Sequence, residues 1–191
     1  MTIEITEIEQ DAFPSYSSIS PEYMVKSEFE CISGDGGLSG ILLRERKLPQ
    51  PYPKYQDDGG PEEWSRQFDV SIWGIFLASD GDTLAGAAAV ATPSNGMFVT
   101  ARGSDIAVLW DIRVQKAYRR QSVGTQLFCR CVSWARQHGF SILGIETQNV
   151  NVPACRFYAK HGCDLAEIRK TGYSGHPKVA HEAMLIWHLK L

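Results

Sequence analysis

The sequence predicts a mixed α/β fold, with a central mixed sheet flanked by helices. Two β-rich runs, Val70–Ser79 and Thr83–Thr92, are separated by Asp80-Gly81-Asp82, a favourable hairpin turn, and a third strand over Ile106–Gln115 extends the meander. Strand and helix patterns then alternate, which predicts a sheet with one crossover rather than a doubly wound sheet. The later elements are a helix over Arg119–His138, a strand over Ile142–Gln148, a helix over Val152–His161, and closing strands over Cys163–Lys170 and Glu182–Leu189.

The helix over Arg119–His138 is the most regular element. Its apolar residues recur at helical spacing, and Gly139 directly after it is a typical helix stop. The second helix ends in the same way at Gly162. The residues that define the spacing are Val123, Leu127, Cys131, Trp134 and Ala135.

The first third of the chain has weaker patterns. It opens on a short alternation of isoleucines, and Phe13–Pro21, rich in serine and proline, is predicted to be a loop. Tyr23–Ile32 and Leu38–Glu45 are predicted as strands or short amphipathic segments around a turn at Gly34–Gly37. Lys47–Gly60 carries three prolines and is long enough for a lid-like functional loop.

Composition narrows the class of protein. The 191 residues, 43% of them hydrophobic, predict one domain over 1–191. The longest apolar runs, Ile72–Ala78 and Ala85–Ala91, have seven residues each, far short of the ~20 needed to cross a bilayer. The acidic N-terminus is unlike a signal peptide, so we expect a cytoplasmic protein without a membrane partner. Five cysteines without a Cys-x-x-Cys pair, and scattered histidines, predict neither a disulfide scaffold nor a metal site.

Charge is unevenly distributed along the chain. The net charge of −3 argues against a nucleic-acid partner. Met1–Ser65 contains 13 acidic and 5 basic side chains, whereas Ile112–Ile145 contains 6 basic side chains and no acidic one. The first segment suits a cation and the second an anion, although solvated surfaces would give the same pattern.

Two segments carry candidate chemistry. The first runs from Trp110 to Thr125, where a strand ends and a helix opens on small residues beside Arg119 and Arg120. A helix start offers unpaired N–H groups to a phosphate, so a pyrophosphate would fit there. The second runs from Asn151 to Gly162, where Tyr158 lies two helical turns after Asn151 and can point along the same face.

Together these segments resemble the GNAT superfamily of acyl-CoA-dependent N-acyltransferases. Residues Arg119–Gly124 match the family pattern Gln/Arg-x-x-Gly-x-Gly/Ala, except that Ser122 replaces the first glycine. Asn151–Gly162 matches the later pattern Asn-x-x-Ala-x-x-Phe-Tyr-x-Lys-x-Gly. Because serine is small and a favoured N-cap residue, we expect a slightly shifted phosphate contact.

Four further segments resemble the streptothricin acetyltransferase group within this superfamily. They extend the likeness from about residue 40 to the C-terminus and predict an acceptor side mainly in residues 1–65, with an acetyl-CoA-binding core in 106–162. The segments are Ile145–Asn149, Arg44–Arg46 with Pro51–Asp58, Tyr173–Pro177, and Glu182–Trp187.

The resemblance implies that acetyl-CoA lies in a cleft where the strands over Ile106–Gln115 and Ile142–Gln148 splay apart. Backbone groups of Ile112–Val114 would pair with the pantetheine arm, the helix start would hold the pyrophosphate, and Asn151 would hydrogen-bond the arm. Tyr158 would protonate the departing thiolate. The predicted cofactor-binding residues are Ile112, Arg113, Val114, Arg119, Arg120, Gln121, Ser122, Val123, Gly124, Thr125, Asn151 and Tyr158.

The acceptor amine must lose a proton, because a free alkyl ammonium has a pKa near ~10. Asp111 and Glu146, one on each of the two strands, are the candidate bases, with Asp111 ranked first. Each has a structural alternative, and Glu146 could instead recognise the acceptor. Asp57 and Asp58 in the lid-like loop suit a cationic acceptor.

The predicted activity is acetyl transfer from acetyl-CoA to a primary amine of a small cationic acceptor, with a streptothricin-type antibiotic as the leading choice. A protein N-terminus or a polyamine is the alternative within the class. A non-catalytic acyl-CoA-binding sensor and an RNA-binding adaptor are alternatives from other classes. Both a monomer and a homodimer are compatible with the sequence.

Overall fold

The computed structural model describes residues 2–55, 60–93 and 105–191. These residues form two compact units, each discontinuous along the chain. Unit 1 comprises Met1–Pro21, Tyr55–Gly144 and Lys190–Leu191, and unit 2 comprises Glu22–Lys54 and Ile145–Leu189. The single domain over 1–191 and its division into an acceptor side and a cofactor core stay predictions.

Nine strands and four α-helices lie in the described residues. In chain order they are β1 (Ile3–Glu7), α1 (Phe13–Ser17), β2 (Tyr23–Ser33), β3 (Ile41–Lys54), α2 (Pro61–Trp64), β4 (Gly74–Asp80), β5 (Thr83–Ala91), β6 (Ile106–Val114), α3 (Val123–Gln137), β7 (Ile142–Gln148), α4 (Val152–Lys160), β8 (Asp164–Arg169) and β9 (Met184–Lys190). The mixed α/β class is confirmed, with mostly antiparallel strands. Among the described residues, no helix is both long and apolar enough to span a membrane.

The sheet of unit 1 contains the predicted meander. Its strands are ordered β1-β4-β5-β6, and each neighbouring pair is antiparallel. The ladder between β5 and β6 is interrupted once, because Ala89 pairs with Asp111 and Val90 with Leu109. Trp110 is therefore an extra residue in β6, a β-bulge that bends the strand locally.

Helix α3 packs on this sheet through the face that the sequence spacing predicts. Its residues Val123, Leu127, Phe128, Cys131, Trp134 and Ala135 are all buried. Strand β5 is almost entirely alanine, glycine and valine where it meets α3, so the helix backbone comes close. A Cβ at Gly86 would lie 2.8 Å from the Arg113 carbonyl oxygen, so glycine is required there.

The prediction of a loop over Phe13–Pro21 is wrong in part. Phe13–Ser17 forms α1, with Pro14 in its first turn, where the missing N–H costs nothing. Phe13, Tyr16 and Ile19 are spaced by three residues and are buried together against Trp64 and the rest of the unit 1 core. That hydrophobic contact stabilises a helix too short to be stable alone.

Unit 2 contains the β2–β3 hairpin, α4, and a sheet segment with strand order β7-β9-β8. The predicted turn at Gly34–Gly37 is confirmed, and Gly36 and Gly37 have φ values of 63° and 102°. The predicted lid-like loop over Lys47–Gly60 is wrong as far as Lys54, because β3 extends to that residue. Its prolines at 49, 51 and 53 alternate, which an edge strand tolerates because only one side of it needs N–H donors.

Candidate functional site

The segment between β6 and α3 in unit 1 has an unusual backbone. It passes through a single 3-10 turn over Lys116–Tyr118 before α3 begins at Val123. Arg120 and Ser122 both have left-handed conformations, with φ values of 64° and 65°. The Arg119 Nε donates to the Val114 carbonyl oxygen at 2.9 Å, and the Gln121 Nε2 donates to the Ala117 carbonyl oxygen at 2.6 Å. These two hydrogen bonds tie side chains of the segment between β6 and α3 to backbone carbonyl groups that precede them in the chain.

This arrangement presents backbone N–H groups to an anion. The first turn of α3 has no intrahelical acceptors for its N–H groups, and no acidic residue lies in that turn. Left-handed residues next to a helix start direct successive N–H groups towards one point, which creates an anion-binding concavity. Gly124 is the second residue of the helix and places no side chain there. The residues fit a phosphate group.

Ser122 is the N-cap residue of α3 but its side chain makes no cap hydrogen bond, and the slightly shifted phosphate contact expected from the sequence stays a prediction. Its backbone is left-handed, with a φ of 65°. Glycine adopts this conformation without the clash that a Cβ introduces. The glycine usual at this position of the family pattern is explained by the backbone angle.

Replacing Ser122 with glycine is expected to raise the free energy of unfolding by up to about 1 kcal/mol, because it removes left-handed strain. Urea denaturation measures the change. Ser133→Gly is the matched control: Ser133 lies inside α3, so glycine there should lower the same quantity by about 0.5–1 kcal/mol. Equal effects at the two positions would contradict the strain explanation.

Asp111 in β6 belongs to a buried polar cluster of unit 1. Its Oδ2 accepts from the Tyr16 hydroxyl at 2.6 Å and from the Arg113 Nε at 2.7 Å. The Arg113 Nη1 donates to the Ile19 carbonyl oxygen at 3.1 Å, and its guanidinium lies 5.1 Å from the Tyr16 ring centroid. Burial raises the pKa of Tyr16 well above its ordinary value, and the charge of Asp111 raises it further. The phenol therefore remains a donor.

These contacts favour the structural alternative for Asp111. Asp111 is 7% exposed, and its carboxylate is paired with the buried Arg113 guanidinium, so removing either partner would leave the other buried without a countercharge. The Arg113 side chain belongs to the same cluster. The predicted pairing with a pantetheine arm would therefore use the backbone groups of Ile112, Arg113 and Val114 and not the Arg113 side chain.

We expect Asp111→Asn to lower the free energy of unfolding by about 3 kcal/mol, because it leaves the Arg113 charge buried and uncompensated. Denaturation in urea measures this loss, with Asp164→Asn, at an exposed position on β8, as the control. The folded fraction should keep its kcat. An unchanged stability together with a kcat lowered ~100-fold or more would instead favour the base role.

In unit 2, Glu146 lies on β7 and is partly exposed. Its Oε1 accepts a hydrogen bond of 2.5 Å from the hydroxyl of Tyr173, a buried residue of the segment between β8 and β9. Glu146 is thus the candidate base that is both reachable by solvent and oriented by a neighbour. The sequence placed Glu146 second, and nothing in its spacing pointed to Tyr173, 27 residues away.

Helix α4 in unit 2 positions the other two predicted residues. Asn151 is its N-cap, and the Asn151 Oδ1 accepts from the Ala154 N–H at 3.3 Å, so its carbonyl oxygen has a structural task. Tyr158 is 5% exposed, and its ring packs edge-on against Phe157. Their predicted roles at a cofactor stay predictions.

Unit 2 contains a second acidic centre that no pattern in the sequence indicates. Glu182 is 3% exposed and both of its carboxylate oxygens accept from the Lys54 Nζ. These residues are 128 positions apart, and only the fold brings them together. The predicted acceptor residues Asp57 and Asp58 lie outside the described residues.

The predicted site residues therefore occur in two groups. Unit 1 carries Asp111 and the helix-start segment, and unit 2 carries Glu146, Asn151 and Tyr158. Within the helix-start group, Val123 is buried in the core, and Arg119, Arg120, Gln121 and Ser122 are exposed. Over the described ranges 2–55, 60–93 and 105–191, no three His, Cys, Asp or Glu side chains are grouped to hold a metal ion.

Parts of this chain match a family model and the sequences of known proteins. Residues 41–163 match the model of the acetyltransferase (GNAT) family. Streptothricin acetyltransferase A of Bacillus subtilis (strain 168) is 39% identical over 84 residues, which is 44% of this chain and 48% of that protein. A streptothricin acetyltransferase of Escherichia coli is 33% identical over 85 residues, 44% of this chain and 49% of that protein. The matched segment thus spans about half the length of these curated relatives.

Solved structures share the fold across the whole chain. A proposed streptothricin acetyltransferase from Bacillus anthracis, determined in complex with acetyl coenzyme A, has a TM-score of 0.78 and 22% identity, covering 100% of this chain and 98% of that one. A nourseothricin acetyltransferase also has a TM-score of 0.78, with 20% identity over 100% of this chain and 99% of that one. At these identities the likeness establishes the fold.

Proposed function

Because this chain belongs to the acetyltransferase (GNAT) family, we propose that it transfers an acetyl group from acetyl-CoA to a primary amine of a small cationic acceptor. The observation that carries the proposal is the α3 start, whose left-handed residues and acid-free first turn form an anion site within the segment that the family model matches. We keep the cytoplasmic location predicted from the sequence as part of the proposal.

In this proposal the α3 start binds the pyrophosphate of the cofactor. The N–H groups of Val123 and Gly124 donate to it, and Arg119 and Arg120 add positive charge. Backbone groups of Ile112–Val114 pair with the pantetheine arm. When bound, acetyl-CoA supplies an activated thioester. The small residues and the backbone geometry of the α3 start suit this group, since an anion must approach the N–H groups closely.

Two side chains of unit 2 are assigned to proton transfer. Tyr158, in the segment that resembles the family pattern, donates a proton to the departing thiolate. Glu146 accepts the proton of the acceptor ammonium, directly or through water. We rank it above Asp111 because the Asp111 carboxylate is buried in an ion pair, whereas Glu146 is partly exposed. Asn151 assists in binding the cofactor arm.

For the acceptor we propose a polycation of the streptothricin type. The 39% identity to streptothricin acetyltransferase A of Bacillus subtilis supports this class, although that match covers only about half of the relative. The excess of 13 acidic over 5 basic side chains in Met1–Ser65 supports a cation. Attraction between a polycation and these carboxylates raises the association rate and is screened by salt.

The test is thiol release from acetyl-CoA with a panel of acceptors: streptothricin, spermidine, an aminoglycoside and a peptide with a free N-terminus. We expect the highest kcat/KM with streptothricin and a fall in kcat/KM as the salt concentration rises. A preference for the peptide, or no dependence on salt, would overturn the polycation while leaving acetyl transfer intact. If the protein binds coenzyme A but no acceptor in the panel causes thiol release from acetyl-CoA, the result would favour the non-catalytic acyl-CoA-binding sensor.

A further inference from the structure

Tyr173 is held rigidly in unit 2 by the segment between β8 and β9. Turn hydrogen bonds fix this segment, among them the bond from the His176 N–H to the Tyr173 carbonyl oxygen at 2.8 Å. The Tyr173 ring packs with Met184 and Ile186 of β9. The preceding Gly172 is required for this packing, because a Cβ there would lie 2.7 Å from the Met184 Cβ.

The hydroxyl of Tyr173 has a defined direction. It donates to the Glu146 Oε1 at 2.5 Å, and the side chain of Gln148, two residues along β7, also hydrogen-bonds to it. A phenol has one proton and two lone pairs, so it can donate to a carboxylate while accepting from an amide. Burial first, and then the charge of Glu146, raise the pKa of Tyr173 far above its ordinary value. The phenol stays protonated and continues to donate.

The neighbouring ionisable groups of unit 2, Glu182 and Tyr23, differ from Glu146 in their charge and in their partners. Glu182 acts electrostatically on Tyr173, but its own charge is balanced by Lys54. Tyr23 also lies near Glu182, and burial raises its pKa well above the ordinary value, so it stays neutral. Glu146 is the carboxylate of this group that is partly exposed and held by a phenol.

We propose that Tyr173 is a positioning residue for Glu146, fixing the carboxylate in the orientation in which it takes the proton of the acceptor ammonium. This inference rests on the proposed function. The N–H bond of the ammonium breaks, its proton passes to a Glu146 oxygen, and the lone pair that remains on nitrogen becomes the nucleophile. The proton then leaves Glu146 for water. The hydrogen bond from Tyr173 restricts rotation of the carboxylate throughout, so no reorientation is needed before the transfer.

The experiment is a double-mutant cycle with Tyr173→Phe, Glu146→Gln and the combined variant, measured with the acceptor that the wild type acetylates fastest. Tyr173→Phe keeps the ring packed against Met184 and removes only the hydroxyl. We expect kcat to fall ~10-fold to ~100-fold, the usual effect of a lost hydrogen bond to a charged group, with little change in KM. The kcat of Glu146→Gln should fall further than that of Tyr173→Phe. The combined variant should have a kcat no lower than that of Glu146→Gln alone.

A second measurement separates positioning from a general structural defect. As the pH approaches the pKa of the acceptor amine, more of the amine is already neutral, so the ratio of wild-type to Tyr173→Phe kcat/KM should shrink. A structural defect would leave this ratio constant. Thr171→Val, which removes a hydroxyl from an exposed residue of the same unit that has no proposed role at the site, is the control and should match the wild type.

Each outcome decides the inference. Losses that multiply in the combined variant, or a Tyr173→Phe enzyme as fast as the wild type, would overturn the role of Tyr173 while the acetyltransferase activity stands. A wild type that acetylates no amine would overturn the proposed function, and this inference with it. A combined variant equal to Glu146→Gln, with a ratio that shrinks at high pH, supports the assignment.

Discussion

Replacing Gly124 with leucine is expected to weaken the binding of coenzyme A at least ~100-fold. Gly124 is the second residue of α3, and Cα–Cβ bonds tilt towards the helix N-terminus, so a leucine side chain would enter the space of the phosphate. Losing two charge-assisted hydrogen bonds costs about 3 kcal/mol, which corresponds to this factor. Isothermal titration calorimetry with coenzyme A measures the affinity directly.

The fold should survive this substitution, because leucine has a higher helix propensity than glycine. Gln126→Leu is the matched control. Gln126 is exposed and its N–H already donates to the Ser122 carbonyl oxygen at 3.0 Å, so it should bind coenzyme A as the wild type does. An unchanged affinity in folded Gly124→Leu would place the pyrophosphate elsewhere.

Elements with strong local signals could be predicted from the sequence. The sequence predicts strand β7 with its observed bounds, Ile142–Gln148. Helix α3 begins four residues later than the sequence predicts, because Arg120 and Ser122 have left-handed backbones that a helix does not continue through. The hairpin β4–β5 followed from Asp80-Gly81-Asp82. In these places the turn residues and the hydrophobic period agree with the tertiary contacts.

Elements that depend on distant contacts could not be predicted in this way. Helix α1 has five residues, and it is the burial of Tyr16 and Ile19 in unit 1 that stabilises it. The second half of β3 carries prolines that are typical of loops, and an edge position with only one paired side accommodates them. Local propensity opposes both elements, and packing outweighs it.

The residues of the candidate site also differ in whether local sequence patterns or distant contacts determine them. Motif spacing predicts site residues at the helix start and in the Asn151–Gly162 segment, because the chemistry proposed there depends on the local backbone. The sequence ranks Asp111 before Glu146, but it does not reveal the partners that distinguish them, Arg113 for Asp111 and Tyr173 for Glu146. One carboxylate is buried in an ion pair, and the other is partly exposed beside a phenol.

Replacing Tyr158 with phenylalanine is expected to lower kcat by ~10²–10⁴-fold, the usual contribution of a positioned proton donor. The departing thiolate would lose its acid, while the aromatic ring would keep its place in α4 beside Phe157. Because the hydroxyl acts only as the thiolate forms, kcat and kcat/KM should fall together and the affinity for coenzyme A should stay the same. Steady-state kinetics and calorimetry on the same preparation provide these quantities.

The buried position of Tyr158 makes a folding control necessary. Tyr118→Phe removes a hydroxyl from the turn before α3 and should leave kcat near that of the wild type. The thermal unfolding midpoint of Tyr158→Phe should stay within a few degrees of the wild type, because the substitution removes one oxygen and leaves no cavity in the ring packing. A Tyr158→Phe enzyme with normal stability and normal kcat would mean that water, or another group, protonates the thiolate, and the acid role of Tyr158 would be lost while the anion site at α3 would stand.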